Sequence, residues 1–165
     1  DLLKAIQRID DDHVKLMVVG SPDFAKSSRT PYLNKVQSLV DELGDRAAFT
    51  GYVPNDQVYQ YSKSADVQVV PSLCEEAAGL VGVEGMAAGL PLIVSHSGGL
   101  QEYVPELCSI VVERNESFVS SLSDAIVSLR EYSELCESMA KNGVRQAERF
   151  SEQTFYDEFM RAISE

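Results

Sequence analysis

The sequence predicts an α/β protein with a doubly wound parallel sheet, and three observations indicate this fold class. Short runs rich in β-branched residues alternate with segments whose apolar residues recur every three or four positions. Glycine or proline follows most of these segments, as expected where strands and helices end. The 165 residues suffice for one domain with a sizeable core. Strands that alternate with helices at this spacing form parallel sheets covered by helices on both faces.

The individual elements follow from the same patterns in chain order. Residues 14–19 are a β-branched run that ends at Gly20, which indicates a buried strand. An amphipathic segment then ends before Gly44, a typical stop for a helix. The later predicted elements are a strand at about 47–53, a helix opening at Pro54, a strand at 67–70, a helix at about 80–88, a strand at 91–95, a short helix at 100–104, a strand near 109–112, a helix from Phe118, and helices at about 132–149 and 152–164. Residues 1–165 therefore form one Rossmann-like domain that ends in helices from about residue 132.

Charge and composition exclude several classes of protein. The formal net charge is −12 and the 14 lysines and arginines are scattered, whereas a nucleic-acid binder shows a basic patch. An acidic surface is also repelled by anionic lipid headgroups, so membrane contact would need another part of the protein. No apolar run approaches the ~20 residues of a membrane helix. The three cysteines and two histidines have no metal-ligand spacing, so we expect reduced thiols, no metal site and a cytoplasmic protein.

Parallel sheets of this kind bind ligands outside the carboxyl ends of their strands. The loops at those ends cover residues 20–30, 51–55, 71–80 and 95–100. The third loop runs directly into a helix, whose first N–H groups lack intrahelical partners and whose dipole favours an anion. Gly79 would let the backbone approach a ligand closely. A phosphate or pyrophosphate is the ligand expected at this helix start.

Two glutamates flank that helix start, Glu76 just before it and Glu84 about one turn inside. Carboxylates aimed at a phosphate would repel it, so they suit hydroxyl groups on either side of the phosphate, such as those of a ribose and a hexose. The ligand indicated is therefore a nucleotide sugar. Acids at a helix start are also common caps and dipole partners, and Glu75 could replace Glu76 as the functional acid.

The motifs around these glutamates come in a characteristic order. They are Ala65-Asp66-Val67, Val69, Pro71-Ser72, Glu76, Gly79-Leu80-Val81, Glu84, Met86-Ala87, Gly89, Pro91, Gly98-Gly99 and Glu102. This order resembles the C-terminal, donor-binding domain of the GT4-type (group 1) retaining glycosyltransferases of the GT-B fold. The step of eight residues from Glu76 to Glu84 matches that family's pair of glutamates and favours Glu76 over Glu75. Two further segments resemble the family, Gly51-Tyr52-Val53-Pro54 beneath the nucleobase and Arg149-Phe150-Ser151 near the C-terminus.

The resemblance implies a role for each matching residue. Glu76 would be the catalytic residue beside the hydroxyls of the donor sugar, and Glu84 would bind the ribose. The other donor-binding residues that it implies are Tyr52, Val53, Ser72, Gly79, Leu80 and Val81.

The same resemblance implies the reaction and its setting. The enzyme would be a hexosyltransferase that takes a UDP- or GDP-sugar as substrate, retains the anomeric configuration and needs neither cofactor nor metal. Helix amides and basic side chains can stabilise a departing diphosphate without a divalent ion. The acceptor, a saccharide or a lipid-linked molecule, would bind an N-terminal domain absent from this chain. The implied setting is polysaccharide or glycolipid synthesis in the cytoplasm, at the inner face of the membrane.

The sequence departs from the family pattern at three places. Ala78 stands where an aromatic residue is usual and Gly85 where alanine is frequent, which predicts a wider donor pocket. The third departure is the lack of the family's first strand and of the Gly-Arg and Lys-Gly that follow it and clamp the diphosphate. That strand would be central, so we expect a gap between residues 14–19 and 67–70. We expect a longer parent chain to supply the strand, and this piece alone to be inactive.

Two other functions stay open, a non-catalytic nucleotide-sugar-binding or scaffold protein and a GT-B-fold sugar-nucleotide epimerase. The remaining polar residues near the predicted loops have structural interpretations. Asp66 precedes a strand, Lys63 lies at a helix end, and His96 lies in a loop. Lys26 and Arg29 could reach the site, although a solvated loop is the expected state of their segment.

Overall fold

The computed structural model describes residues 1–20 and 31–164, and its elements follow the predicted alternation. The helices are α1 (Leu2–Arg8), α2 (Pro31–Leu43), α3 (Asn55–Ser62), α4 (Leu80–Ala87), α5 (Leu100–Tyr103), α6 (Phe118–Glu131), α7 (Ser133–Ala147) and α8 (Glu152–Ser164). The strands are β1 (Leu16–Val18), β2 (Ala47–Phe49), β3 (Gln68–Val70), β4 (Leu92–Ser95) and β5 (Ser109–Val112). Short 3₁₀ turns cover Gly44–Arg46 and Glu148–Phe150. Lys26 and Arg29 lie outside the described residues.

All strand pairs in the described residues are parallel, and they form two sheets. One sheet has the order β1-β2, and the other has the order β3-β4-β5. Leu16 faces Ala47 in the first sheet, and Val70 faces Val94 in the second. No ladder joins β1 to β3 among the described residues, so the break falls at the predicted gap.

The central strand β4 separates two layers of core. All four of its residues are buried, as expected of a strand covered on both faces. Leu92 and Val94 pack with Met86 and Leu100 of α4 and α5. Ile93 points to the other face, where it packs with the hydrophobic side of α1 and α6. Helices therefore cover both faces of this sheet, as the sequence predicts.

Helix α1 connects the two sheets. Its Ala5 belongs to the core cluster beneath β4 and β5, whereas Ile6 and Ile9 pack with Leu43 and Ala47 beside the first sheet. Ser123 Oγ on α6 donates a hydrogen bond to the Ala5 carbonyl at 2.9 Å. Helix α1 and its C-cap Ile9 thus contribute to two of the three hydrophobic clusters.

The last two helices pack very differently. Gly143 on α7 lies against Met86, close enough that an added Cβ would sit 3.4 Å from the Met86 side chain. Helix α8 has no buried residue, and Phe155, Phe159 and Ile163 are exposed on it. No helix in the described part of the chain combines the length and apolar character needed to cross a membrane.

Candidate functional site

The loop after β3 enters α4 through a glycine that no other residue could replace without strain. Gly79 is the N-cap of α4 and has φ 61° and ψ 45°, the left-handed region that glycine tolerates best. It is also buried, and a Cβ there would lie 2.3 Å from Leu100 Cδ1. Backbone conformation and space therefore both require glycine at the start of the helix.

The first turn of α4 presents backbone N–H groups at an accessible surface. Leu80 and Val81 open the helix, so their N–H groups have no intrahelical acceptor. Gly82 N–H is already bonded to the Gly79 carbonyl at 2.8 Å. The side chains of Leu80 and Val81 are 65% and 47% exposed, so a ligand can reach this turn. The aligned peptide dipoles add a partial positive charge that favours an anion.

A glutamine on the neighbouring strand β3 also holds the first turn of α4. Gln68 Nε2 donates to the Val81 carbonyl at 2.7 Å. Gly85 makes room for it, because a Cβ at Gly85 would lie 2.7 Å from Gln68 Oε1 and 2.8 Å from Leu92 Cδ2. Gly85 therefore faces the interior between α4 and the sheet. The prediction that this glycine widens the donor pocket is wrong.

Glu76 is held at three points. Ser72 Oγ donates to Glu76 Oε1 at 2.6 Å, which leaves the other carboxylate oxygen for a further donor. The Glu76 backbone N–H donates to Ser97 Oγ at 3.2 Å. Its carbonyl accepts from the Gly99 N–H at 2.8 Å. The predicted residues Ser72 and Glu76 are therefore in direct contact, and Glu76 has a fixed orientation.

The serines at the end of β4 connect its loop to the loop after β3. Ser95 Oγ donates to the Ser72 carbonyl at 2.7 Å, and Ser97 Oγ donates to the Cys74 carbonyl at 2.5 Å. Both side chains are buried, with 0% and 1% exposure. Buried hydroxyls with partners make such a contact rigid, since breaking it leaves unpaired polar groups. We call these contacts the serine bridge.

Two glycines let the bridged loops meet backbone to backbone. A Cβ at Gly98 would lie 2.5 Å from the Glu76 carbonyl oxygen, and one at Gly99 would lie 2.3 Å from that of Ala77. Gly98 also has φ 45°, a conformation that L side chains rarely adopt. The Gly-Gly of the sequence motif thus has a steric reason within this fold.

Glu75 points to a different partner from its neighbour. Its carboxylate forms an ion pair with Arg114, which follows β5, and Arg114 Nη1 donates to the Leu73 carbonyl at 3.0 Å. The hydrogen bond from Arg114 is the main reason that the pKa of Glu75 lies below its ordinary value. Glu75 and Glu76 therefore have different partners, Arg114 for Glu75 and the serines Ser72 and Ser97 for Glu76. The choice of Glu76 as the functional acid stays a prediction.

Glu84 lies on the exposed surface of α4, one turn after Leu80. No side chain in the described residues forms a hydrogen bond or ion pair with its carboxylate. A carboxylate in this position can accept hydrogen bonds from a ligand held at the helix start. Glu76 and Glu84 thus lie on the N-terminal and C-terminal sides of the accessible turn.

Tyr52 and Val53 lie apart from this group, after β2 in the other sheet. Tyr52 is 79% exposed and follows Gly51, whose φ is 72°. Gly51 forms an isolated bridge with Gly20, so the ends of β1 and β2 are tied together. No hydrogen bond between described residues joins Tyr52 or Val53 to the loop after β3. Their predicted contact with the base stays a prediction.

Two of the other polar candidates, Lys63 and His96, have structural partners. Lys63 Nζ donates to the Ala88 carbonyl at 3.3 Å, at the C-terminal end of α4, where the helix dipole favours a cation. His96 Nδ1 lies 3.5 Å from a carboxylate oxygen of Glu113. Asp66 is exposed. Within the described ranges, no group of three or more histidine, cysteine or acidic side chains could hold a metal ion.

Sequence reasoning missed the residues that position the site. Ser95, Ser97, Gln68 and Arg114 each contact the loop after β3 or the start of α4. Two of them carry a local signal, because a polar residue inside a buried strand, as in Gln68 or Ser95, needs a partner. Arg114 carries none, since its partners lie 39 and 41 residues away in the chain.

Comparison with known proteins identifies relatives over most of the chain. A family model described as glycosyl transferases group 1 matches residues 1–131. The lipopolysaccharide 1,2-N-acetylglucosaminetransferase of Salmonella typhimurium is 36% identical over 106 residues, which cover 62% of this chain and 28% of that protein. The chain therefore spans under a third of the length of that relative.

Solved structures match nearly the whole chain. Sucrose-phosphate synthase from Thermosynechococcus elongatus superposes with a TM-score of 0.78 at 30% identity, over 98% of this chain and 42% of that one. Anabaena HepE, in complex with UDP-glucose, gives a TM-score of 0.84 at 23% identity, over 99% of this chain and 44% of that one. The second likeness establishes the fold alone.

Proposed function

This chain belongs to the group 1 glycosyl transferases, and from that premise we propose that it is the donor-binding domain of a retaining glycosyltransferase. The donor would be a UDP- or GDP-linked hexose, and the acceptor a saccharide or glycolipid. Because the chain spans 28% of one curated relative and 42% of a solved one, the acceptor would bind a part of the protein outside these residues.

The observation that carries the proposal is the accessible helix start between Glu76, which Ser72 orients, and the exposed Glu84. A diphosphate would bind the N–H groups of Leu80 and Val81, where the helix dipole favours negative charge. Glu84, exposed one turn further along, would accept hydrogen bonds from the ribose hydroxyls. Glu76, fixed by Ser72 at 2.6 Å, would accept from hydroxyls of the donor sugar. Tyr52 and Val53 would line the base.

In this arrangement Glu76 would be the catalytic residue through orientation of the sugar. Its free carboxylate oxygen would hold the hexose so that the acceptor approaches from the face that the diphosphate leaves. The helix-start amides would stabilise the developing charge on the diphosphate, since fixed dipoles act strongly on charge that forms in the transition state. The leaving phosphate oxygen would take the acceptor's proton, which accounts for retention without a protein nucleophile. Neither a metal nor a cofactor is part of this proposal.

The proposal extends to the whole protein. Transfer would need a segment outside these 165 residues, both to bind the acceptor and to add basic groups near the diphosphate. We therefore expect this chain alone to bind donor nucleotides without transferring sugar. The protein would work in the cytoplasm, at the inner face of a membrane, in polysaccharide or glycolipid synthesis. Because Anabaena HepE, which shares the fold, was solved in complex with UDP-glucose, UDP-glucose is the first donor to test.

The first experiment is a calorimetric titration of the chain with UDP, GDP and UDP-glucose. We expect Glu84→Gln to weaken binding of the preferred nucleotide by roughly ten- to hundredfold, the range of a lost hydrogen bond to a charged group. Glu76→Gln should weaken binding of UDP-glucose more than binding of UDP, because the predicted partner of Glu76 is the sugar. Glu137→Gln, an exposed glutamate on α7, is the matched control and should bind like the wild type.

The outcomes separate the possible functions. No binding of any nucleotide at millimolar concentration would refute the proposal. Transfer by the longer protein only when an acceptor is present supports a glycosyltransferase, whereas conversion of the sugar without an acceptor would identify an epimerase. Binding without either reaction would identify a non-catalytic nucleotide-sugar-binding protein.

A further inference from the structure

We infer that Arg114 is a positioning residue of the donor site, which fixes the loop after β3 and thereby keeps Glu76 free for the ligand. This inference deepens the proposed function and rests on it for the identity of the ligand. Arg114 does not belong to any motif on which the family resemblance depends. Its role follows from its contacts alone.

The guanidinium of Arg114 holds the loop at two places. Nη1 donates to the Leu73 carbonyl at 3.0 Å, and Nη2 pairs with the Glu75 carboxylate. Two donors of one planar group therefore fix the backbone and a side chain of the same loop, which lysine could not do in the same way. The Arg114 side chain is 26% exposed, so most of it is packed against the protein.

The position of these two contacts matters for Glu76. Leu73 and Glu75 lie on either side of Cys74, whose carbonyl accepts from Ser97 in the serine bridge. Arg114 and the serine bridge therefore hold successive residues of one short stretch. The adjacent Glu76 is left with Ser72 as its side-chain partner among the described residues. With Arg114 removed, the Glu75 carboxylate beside Glu76 loses its ion-pair partner, and the stretch loses one of its two anchors.

Several groups around the ion pair influence the pKa of Glu75. The pKa of Glu75 is lowered chiefly by its hydrogen bond from Arg114, and more weakly by the charge of Arg114, by a hydrogen bond from the Gly98 backbone and by His96, which itself lies 3.5 Å from Glu113. Burial of Glu75 acts in the opposite direction. Since the carboxylate is stabilised mainly by Arg114, the pair is the principal interaction of Glu75.

The test is a double-mutant cycle with Arg114→Ala, Glu75→Ala and the combined variant. Hydrogen exchange of the backbone amides of residues 73–79 is measured in the ligand-free protein, and affinities are measured for UDP-glucose and UDP. We expect Arg114→Ala to raise the exchange rates in this stretch and to weaken binding of UDP-glucose by roughly two- to fivefold, the range of an exposed ion pair. Binding of UDP should be weakened less. The combined variant should be no worse than the more affected single variant, because both single substitutions remove the same ion pair.

Two further variants complete the experiment. Arg114→Lys should restore part of the affinity for UDP-glucose, since one of the two contacts can form. Arg130→Ala is the matched control, because Arg130 forms an ion pair with Asp11 at 2.6 Å and neither residue belongs to this loop. It should change neither exchange nor affinity.

Unchanged exchange in Arg114→Ala, or additive effects of the two single substitutions, would overturn the inference. A loss of affinity in Arg114→Ala whose exchange stays unchanged would indicate direct contact between Arg114 and the ligand instead of positioning. If the wild type binds no nucleotide while exchange responds as expected, the positioning role stands and the proposed function falls.

Discussion

Gly99 is under a steric constraint that the sequence motif does not explain. Its φ and ψ, −71° and −3°, are open to any residue, so conformation does not demand glycine here. Space does, because a Cβ would lie 2.3 Å from the Ala77 carbonyl oxygen. The motif Gly98-Gly99 was recognisable from its order in the sequence. Its physical reason was not, since the contacting backbone lies more than twenty positions earlier.

Substitution of this glycine tests the constraint. We expect Gly99→Ala to lower the free energy of unfolding by about 1–3 kcal/mol, as overpacking does, and to weaken nucleotide binding by displacing Ala77. Gly143→Ala is the matched control. Its Cβ would have an ordinary 3.4 Å contact, and alanine is favoured in a helix by about 1 kcal/mol. Chemical denaturation measures both variants, and equal destabilisation of the two would contradict the steric explanation.

Periodicity located the elements well and located their contacts poorly. The predicted helix at about 80–88 is Leu80–Ala87, and the strand predicted near 109–112 is Ser109–Val112. These boundaries depend on local signals, such as apolar runs and glycine stops. The serine bridge depends on pairs separated by 23 positions. Only the register between β3 and β4 brings those pairs together, and a single sequence does not contain it.

Breaking the serine bridge should affect stability and binding together. Ser97→Ala leaves the Cys74 carbonyl and the Glu76 N–H without their buried partner, which costs about 1–3 kcal/mol of unfolding free energy. Ser97→Ala should also weaken binding of UDP-glucose. Ser123→Ala removes another buried hydroxyl, one that bonds Ala5, so it should destabilise the protein while leaving ligand affinity unchanged. Thermal unfolding and calorimetry of both variants make the comparison, and a loss of affinity in both would mean that general destabilisation is the cause.

Over the whole molecule, charge is the dominant long-range property. The chain carries 26 acidic and 14 basic residues, a net charge of −12. Among the described residues, ion pairs such as Lys15–Asp45 and Arg130–Asp11 each join one acidic and one basic group, so they leave this excess unchanged. Repulsion between the remaining carboxylates opposes the compact state. The sequence reveals this balance completely, because net charge needs no knowledge of the fold.

Salt should therefore stabilise the protein at neutral pH. Raising sodium chloride from about 20 to about 200 mM shortens the Debye length to below about 10 Å. We expect the free energy of unfolding to rise by about 1 kcal/mol, equivalent to about 2–4 °C in Tm for a chain of this size. The gain should shrink near the pI of about 4.5, where the net charge vanishes. A fall in Tm with salt at neutral pH would instead mean that the ion pairs outweigh the repulsion.

The connection of the two sheets through α1 has a consequence for cooperativity. A continuous sheet opens as one unit, because each strand's backbone groups are bonded to the next. In these 165 residues, without the strand expected from a longer parent chain, no described ladder passes from β1 to β3, and α1 joins the two parts through Ala5 on one side and Ile6 on the other. The parts can then behave as separate foldons, in which the β1–β2 unit opens at a lower free energy than the β3–β5 unit. The loop that holds Glu76 would keep its structure while the unit that holds Tyr52 exchanges with solvent.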